Sequence, residues 1–193
     1  MIQPVIMSRI LTLRLCATLR LPAILAVAFG SILPGAAGAQ HDSSHHSRYP
    51  EYQSREIKAL SPDEIESLHS GEGMGMALAA ELNGFPGPRH VMELADELDL
   101  TQTQAQEVEH IFEAMNKHAI ALGRHVVHLE KRLDHEFIQQ SITPGELDSL
   151  ALEIASFRGR LRAVHLRAHV QTFGLLTEPQ RALYGRLRGY NDH

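Results

Sequence analysis

The chain has 193 residues, with 18 Lys plus Arg against 23 Asp plus Glu, a formal net charge of −5, 13 His and one Cys. One modest domain fits that length, 44% hydrophobic and 21% charged residues are globular rather than disordered usage, and one Cys excludes a disulfide-stapled mini-protein. An acidic, His-rich composition points away from nucleic acid and towards metal binding or proton sensing.

Residues 1–39 contain no acid. Arg9, Arg14 and Arg20 precede an apolar stretch over 21–33, and Ala37-Gly38-Ala39 supplies the small residues that a signal peptidase cleaves after, so this segment reads as a cleaved export signal. Its apolar run, interrupted by Pro22, Gly30 and Pro34, is too short for a stable span, and no membrane span is expected after cleavage, an uncleaved anchor being the alternative. The expected mature chain, 40–193, has 154 residues, 15 basic and 23 acidic, and a net charge of −8. It keeps all 13 His and loses Cys16, which closes thiolate catalysis, thiolate zinc sites and disulfides to it.

Residues 40–60 open with His41, His45 and His46 among polar side chains and read as a flexible His-rich arm, able to take Cu(II), Zn(II) or Ni(II) with little selectivity. After the arm, one start signal recurs four times: Ser61-Pro62-Asp63-Glu64, Thr101-Gln102-Thr103-Gln104, Thr143-Pro144-Gly145-Glu146 and Thr177-Glu178-Pro179-Gln180. Each is a capping box, a hydroxyl at the helix N-cap with Glu or Gln three residues on, and together they predict four helix starts. Asn83-Gly84 with Pro86 and Pro88 ends a helix expected over 76–82, and a short acidic helix is expected over 89–98. Residues 61–99 therefore read as short N-terminal helices.

The two long segments carry the clearest pattern. Val108, Phe112, Met115, Ala119, Leu122, Val126, Leu129 and Leu133 step by four and three, and Leu147, Leu150, Ile154, Phe157, Leu161, Val164 and Ala168 repeat the step. With only 140–142 between them, the two helices must fold back as a long antiparallel hairpin within a domain over 100–190. The seams mesh if Leu133 lies level with Leu150, Leu122 with Leu161 and Met115 with Ala168. The expected class is all-α, a hairpin flanked by shorter helices.

Leu100-Thr101-Gln102-Thr103-Gln104 and Leu176-Thr177-Glu178-Pro179-Gln180 are two copies of an LTxxQ motif that bracket the hairpin. In that arrangement, behind an export signal, the chain resembles the Spy/CpxP family of periplasmic stress proteins, which includes ATP-independent chaperones, zinc-resistance-associated proteins and heavy-metal sensors. The resemblance covers roughly 94–190. It implies a periplasmic protein, with Leu100, Thr101, Gln104, Leu176, Thr177 and Gln180 capping and packing the open end of the hairpin. It also implies no catalysis, a homodimer, and either a bound metal or unfolded client proteins, with an envelope signalling protein as a further partner. The Gly-Glu-Gly-Met-Gly-Met segment at 71–76 is not explained by the family motifs.

His165 and His169 are the leading metal candidates, since an i, i+4 pair puts two imidazoles on one helix face at a separation one ion can bridge. Leu166 stands where a zinc metallopeptidase would carry its general-base Glu, which excludes that chemistry. The hairpin register brings Glu113, Asn116 and His118 alongside, with Glu113 ranked above His118, and the expected ion is a divalent transition metal, Zn, Ni, Co or Cu. Met74 and Met76 read as helix packing rather than as soft-metal ligands. Seven acids and no Lys or Arg lie over 91–113, whereas seven arginines lie over 155–190. Mutual neutralisation of these regions, within a subunit or across a dimer, is expected, with Arg158, Arg162 and Arg167 as the alternative client or dimer surface.

Overall fold

The computed structural model describes residues 49–190, so the segment read as an export signal, Cys16, His41, His45 and His46 lie outside the described residues. The described chain is helical without a strand, in the order α1 (Pro62–Ser70), α2 (Leu78–Glu81), α3 (Pro88–Glu93), α4 (Gln102–Ile138), α5 (Pro144–Leu175) and α6 (Glu178–Leu187). No helix among the described residues is long and apolar enough to cross a membrane.

All four capping boxes form. Ser61, Thr101, Thr143 and Thr177 each accept from the backbone amide three residues on, while the side chains of Glu64, Gln104, Glu146 and Gln180 reach back to the cap. The Ser61 amide and hydroxyl hold the Glu64 carboxyl below its ordinary range, because both donate to its charged form. At the turn, α4 ends with Gln140 in the left-handed region at φ 54° and the Ser141 amide donating to the Glu136 carbonyl, which closes the helix and turns the chain into α5.

The long helices pack against each other along the expected seams. Leu122 and Leu161 share the central core cluster with Ala119 and Val126, and Leu129 packs with Leu150 and Ile154 towards the turn. At the open end Val108, Leu98, Leu176 and Tyr184 form a third cluster, to which Leu100 adds its side chain. One ion pair among the described residues joins the long helices. Glu130, 8% exposed, accepts from Arg158 at 2.8 Å, which supplies the partner a buried carboxylate needs.

Two sequence expectations are corrected here. The arm does not extend to residue 60. Pro50–Ser54 form a 3₁₀ turn, and Ile57 and Leu60, each 1% exposed, join the central core beneath α1. Burying two large aliphatic side chains overcomes the polar composition around them. The two charged regions also do not neutralise one another within the chain: none of the ion pairs among the described residues joins an acid of 91–113 to an arginine of 155–190. Arg158 goes instead to Glu130, Arg181 to the carbonyls of Phe173 and Leu176, and Arg188 to Glu81.

Helix α1 lies across α4 at an unusually close crossing. Gly123 of α4 faces the backbone of Leu68, and a Cβ there would overlap the Leu68 carbonyl oxygen and come within 2.8 Å of its carbonyl carbon. Only glycine allows that approach.

Candidate metal centre

The α1–α3 region wraps the side of the hairpin that carries His165 and His169. After Gly71 closes α1 in the left-handed conformation, residues 71–76 run past α4 and α5 and enclose a cavity of about 280 Å³. Both imidazoles line it, with Gly73, Met74, Gly87 and Met115.

The two rings differ in how they are held. The Nδ1 of His169 lies 2.8 Å from the Phe85 carbonyl oxygen, which can only accept, so Nδ1 carries the proton and Nε2 is the lone-pair nitrogen of the neutral ring. Phe85 is fixed in turn by stacking on Phe173 at 4.4 Å. A Cβ at Gly87 would come within 3.1 Å of that Nε2, so the glycine leaves the nitrogen open. His165 is 4% exposed, and its Nε2 is buried without a hydrogen-bond partner. Burial first, and the neighbouring His169 second, push its pKa below the ordinary 6.5, so it is neutral at pH 7.

Next to the pair lies a knot of hydrogen bonds centred on Glu81, 7% exposed on α2. Its Oε1 accepts from the Tyr184 hydroxyl at 2.5 Å and the Tyr190 hydroxyl at 2.9 Å, and its Oε2 from the Gly87 amide at 3.0 Å. Burial and the Glu81 carboxylate drive the Tyr184 pKa well above its ordinary range, which keeps the phenol a donor. His169 Nδ1 stands 3.5 Å from Oε2. The knot joins the chain on both sides of the hairpin and braces the wall of the cavity.

The ligand set expected from sequence is only partly brought together. His165 and His169 share the cavity, but Glu113 is exposed and faces a separate groove with Asn116 and Lys117. His118 is exposed on the opposite flank, in a groove with His125, Phe157, Arg160 and Arg167. Hairpin register alone proposed those two, and the 71–88 segment, which covers the flank beside the pair, supplies Met74 and Glu81 instead. Among the described residues no group of three or more His, Cys, Asp or Glu is arranged to hold a metal. Of the three candidate surface arginines, Arg158 is tied to Glu130, Arg167 lines the groove with His118, and Arg162 makes no ion pair among the described residues.

The depressed His165 pKa gives a pH dependence of defined sign. As pH falls below about 6.5 the unfolded chain takes up the proton before the folded one does, so stability present above that pH is lost on acidification through the folded value. Thermal melting between about pH 7 and pH 5 should therefore fall more steeply for the native protein than for His165→Gln. Parallel curves for the two proteins would show that His165 is not buried neutral.

The two LTxxQ motifs meet at the open end. Gln104 Nε2 donates to Gln180 Oε1 at 2.9 Å and to the Leu175 carbonyl at 2.9 Å, while Gln180 Nε2 donates to Gln104 Oε1 at 3.2 Å and to the Leu98 carbonyl at 3.2 Å. Capping was legible in the sequence; this reciprocal amide pair was not. No protein-family model matches the chain, and no curated protein or solved structure is detectably similar to it.

Proposed function

We propose that this chain is an exported, non-catalytic protein of the envelope that binds a transition-metal ion between His165 and His169, in the manner of a metal sensor or resistance protein. The observation that carries the reading is the buried His165 ring, neutral and with Nε2 lacking a partner, beside a second imidazole whose tautomer is fixed by a carbonyl. A buried polar atom without a partner costs about 1–3 kcal/mol, and a bound ion offsets that cost by drawing on the ring's lone pair. Metal binding needs neutral imidazole, which the depressed pKa provides. The paired LTxxQ motifs and the export signal support the periplasmic setting.

Calorimetric titration of the mature protein with Zn(II), Ni(II) and Cu(II) tests the reading. Binding is expected, with a loss of about tenfold or more in His165→Ala/His169→Ala. Absence of binding, or binding unchanged in the double variant, would overturn it. The second reading is an ATP-independent chaperone, favoured by apolar side chains left in water near the hairpin turn: Phe137 is 53% exposed, Ile138 60% and Leu152 73%. Light scattering by an aggregating client is its assay.

A further inference from the structure

We propose that the cavity between the 71–76 segment and α5 is a monovalent copper site, in which the thioethers of Met74 and Met115, which both line it, join His165 and His169. This rests on the metal-binding reading above and names the class of ion.

The donor inventory of the cavity is soft. Of the acidic side chains that line it, Glu81 has both oxygens taken by Tyr184, Tyr190 and the Gly87 amide, and Glu72 is exposed and accepts from the Ser67 hydroxyl at 3.0 Å. His90 is bonded to Glu93 through Nδ1 at 2.9 Å, and among the described residues it forms no three-ligand group with His165 and His169. The other donors left uncommitted are the His165 ring, the His169 Nε2 and the sulfurs of Met74 and Met115. Zn(II) and Ni(II) sites commonly balance the ion's charge with carboxylate or thiolate, and the cavity has no thiolate and no free buried carboxylate. A singly charged soft ion suits two imidazoles and one or two thioethers.

The backbone at Met74 carries the second line of argument. The Met76 amide donates to the Gly73 carbonyl at 2.7 Å, closing a tight turn whose central residues are Met74 at φ 43° and Gly75 at φ 73°. Turns with two positive-φ centres select Gly, Asn or Asp, because other side chains crowd the backbone there. Methionine at this position is therefore strained, and it is 40% exposed, so core packing does not account for it. Met74 lines the cavity next to Gly73, which lies beside the His165 ring, and a thioether offered to a bound ion accounts for a methionine that neither packing nor turn preference explains.

The test is anaerobic Cu(I) titration of the mature protein in competition with a chromogenic Cu(I) chelator, run beside Zn(II) titration. Two variants separate binding from folding: Met74→Leu removes the sulfur at similar volume, and Met74→Gly removes it while relieving the turn. Expected are Cu(I) binding tighter than Zn(II), a loss of about tenfold or more in Cu(I) affinity in both variants with Zn(II) little changed, and sulfur scattering in the X-ray absorption of the Cu(I) protein. Met74→Gly should also melt no lower than the native protein. Cu(I) bound no tighter than Zn(II), or Cu(I) affinity unchanged by both Met74 variants, overturns the copper assignment while leaving a His165–His169 metal site standing. If neither ion binds, both readings fall.

Discussion

Gly123→Ala should be the most damaging single-methyl change in the protein, lowering stability by about 3 kcal/mol, at the upper end of the usual cost of overpacking. The added Cβ meets the Leu68 carbonyl rather than the end of a flexible side chain, so α1 has to move off α4. Leu68, 2% exposed, and Ile65 would leave the core with it, and the 71–76 segment that follows α1 would be displaced from the cavity. The melting temperature is expected to drop by roughly 10 °C. Gly159→Ala and Gly174→Ala on α5 provide the contrast. Nothing lies within 4 Å of a Cβ at either position, and replacing the helix-interior Gly159 should stabilise by about 0.5–1 kcal/mol, with a smaller gain at Gly174 in the last turn. Three substitutions of identical chemistry thus separate by sign. A Gly123→Ala protein that melts with the native one would mean that the α1–α4 crossing is looser than the structure places it.

Gln104→Glu carries the second large effect, about 2 kcal/mol of destabilisation from one oxygen replacing one NH₂. If the residue served only as the return arm of a capping box, Glu would be neutral there, since Glu64 and Glu146 fill the same position in the other two boxes. The amide does more. Its Nε2 holds both the Leu175 carbonyl and Gln180, and a carboxylate at that place has no hydrogen to offer and faces two oxygens. The double variant Gln104→Glu/Gln180→Glu should be worse than the sum of its parts, because two carboxylates would then confront each other across the open end. Denaturant melts of the four proteins in the cycle measure this. Additivity, or an unchanged midpoint in Gln104→Glu, would reduce the paired motifs to independent caps.

The same comparison shows why part of this molecule could be read from sequence and part could not. Caps and seams are local: Thr143 and Glu146 are three residues apart, and the Leu122–Leu129 face repeats within its own helix, so both are visible as spacing. The Gln104–Gln180 pair joins residues 76 positions apart, and no local pattern states it. Likewise His165 and His169 stood out as an i, i+4 pair, whereas their surroundings come from a region without periodicity, the short helices and turns over 71–88. Placing Glu113 and His118 beside the pair assumed that the hairpin alone builds the site; the chain before α4 covers that flank instead. Ile57 and Leu60 were absorbed into the arm because two isolated aliphatic residues among polar ones leave no periodic trace. The one available signal for the cavity was the alternation of Gly with Met at 73–76, which asks for a positive-φ turn with a sulfur on it.

The Glu81 knot has a bearing on how the protein matures. Tyr184 and Tyr190 reach Glu81 across more than a hundred residues of chain, a closure that waits on the hairpin and on α6. Contacts of such long sequence separation form late, since the entropy of the intervening loop must be surrendered before they return anything. The wall beside His169 is therefore completed only when the last helix docks. On the metal-binding reading, capture of an ion at the histidine pair would then mark the molecules in which α2 and α6 have already met.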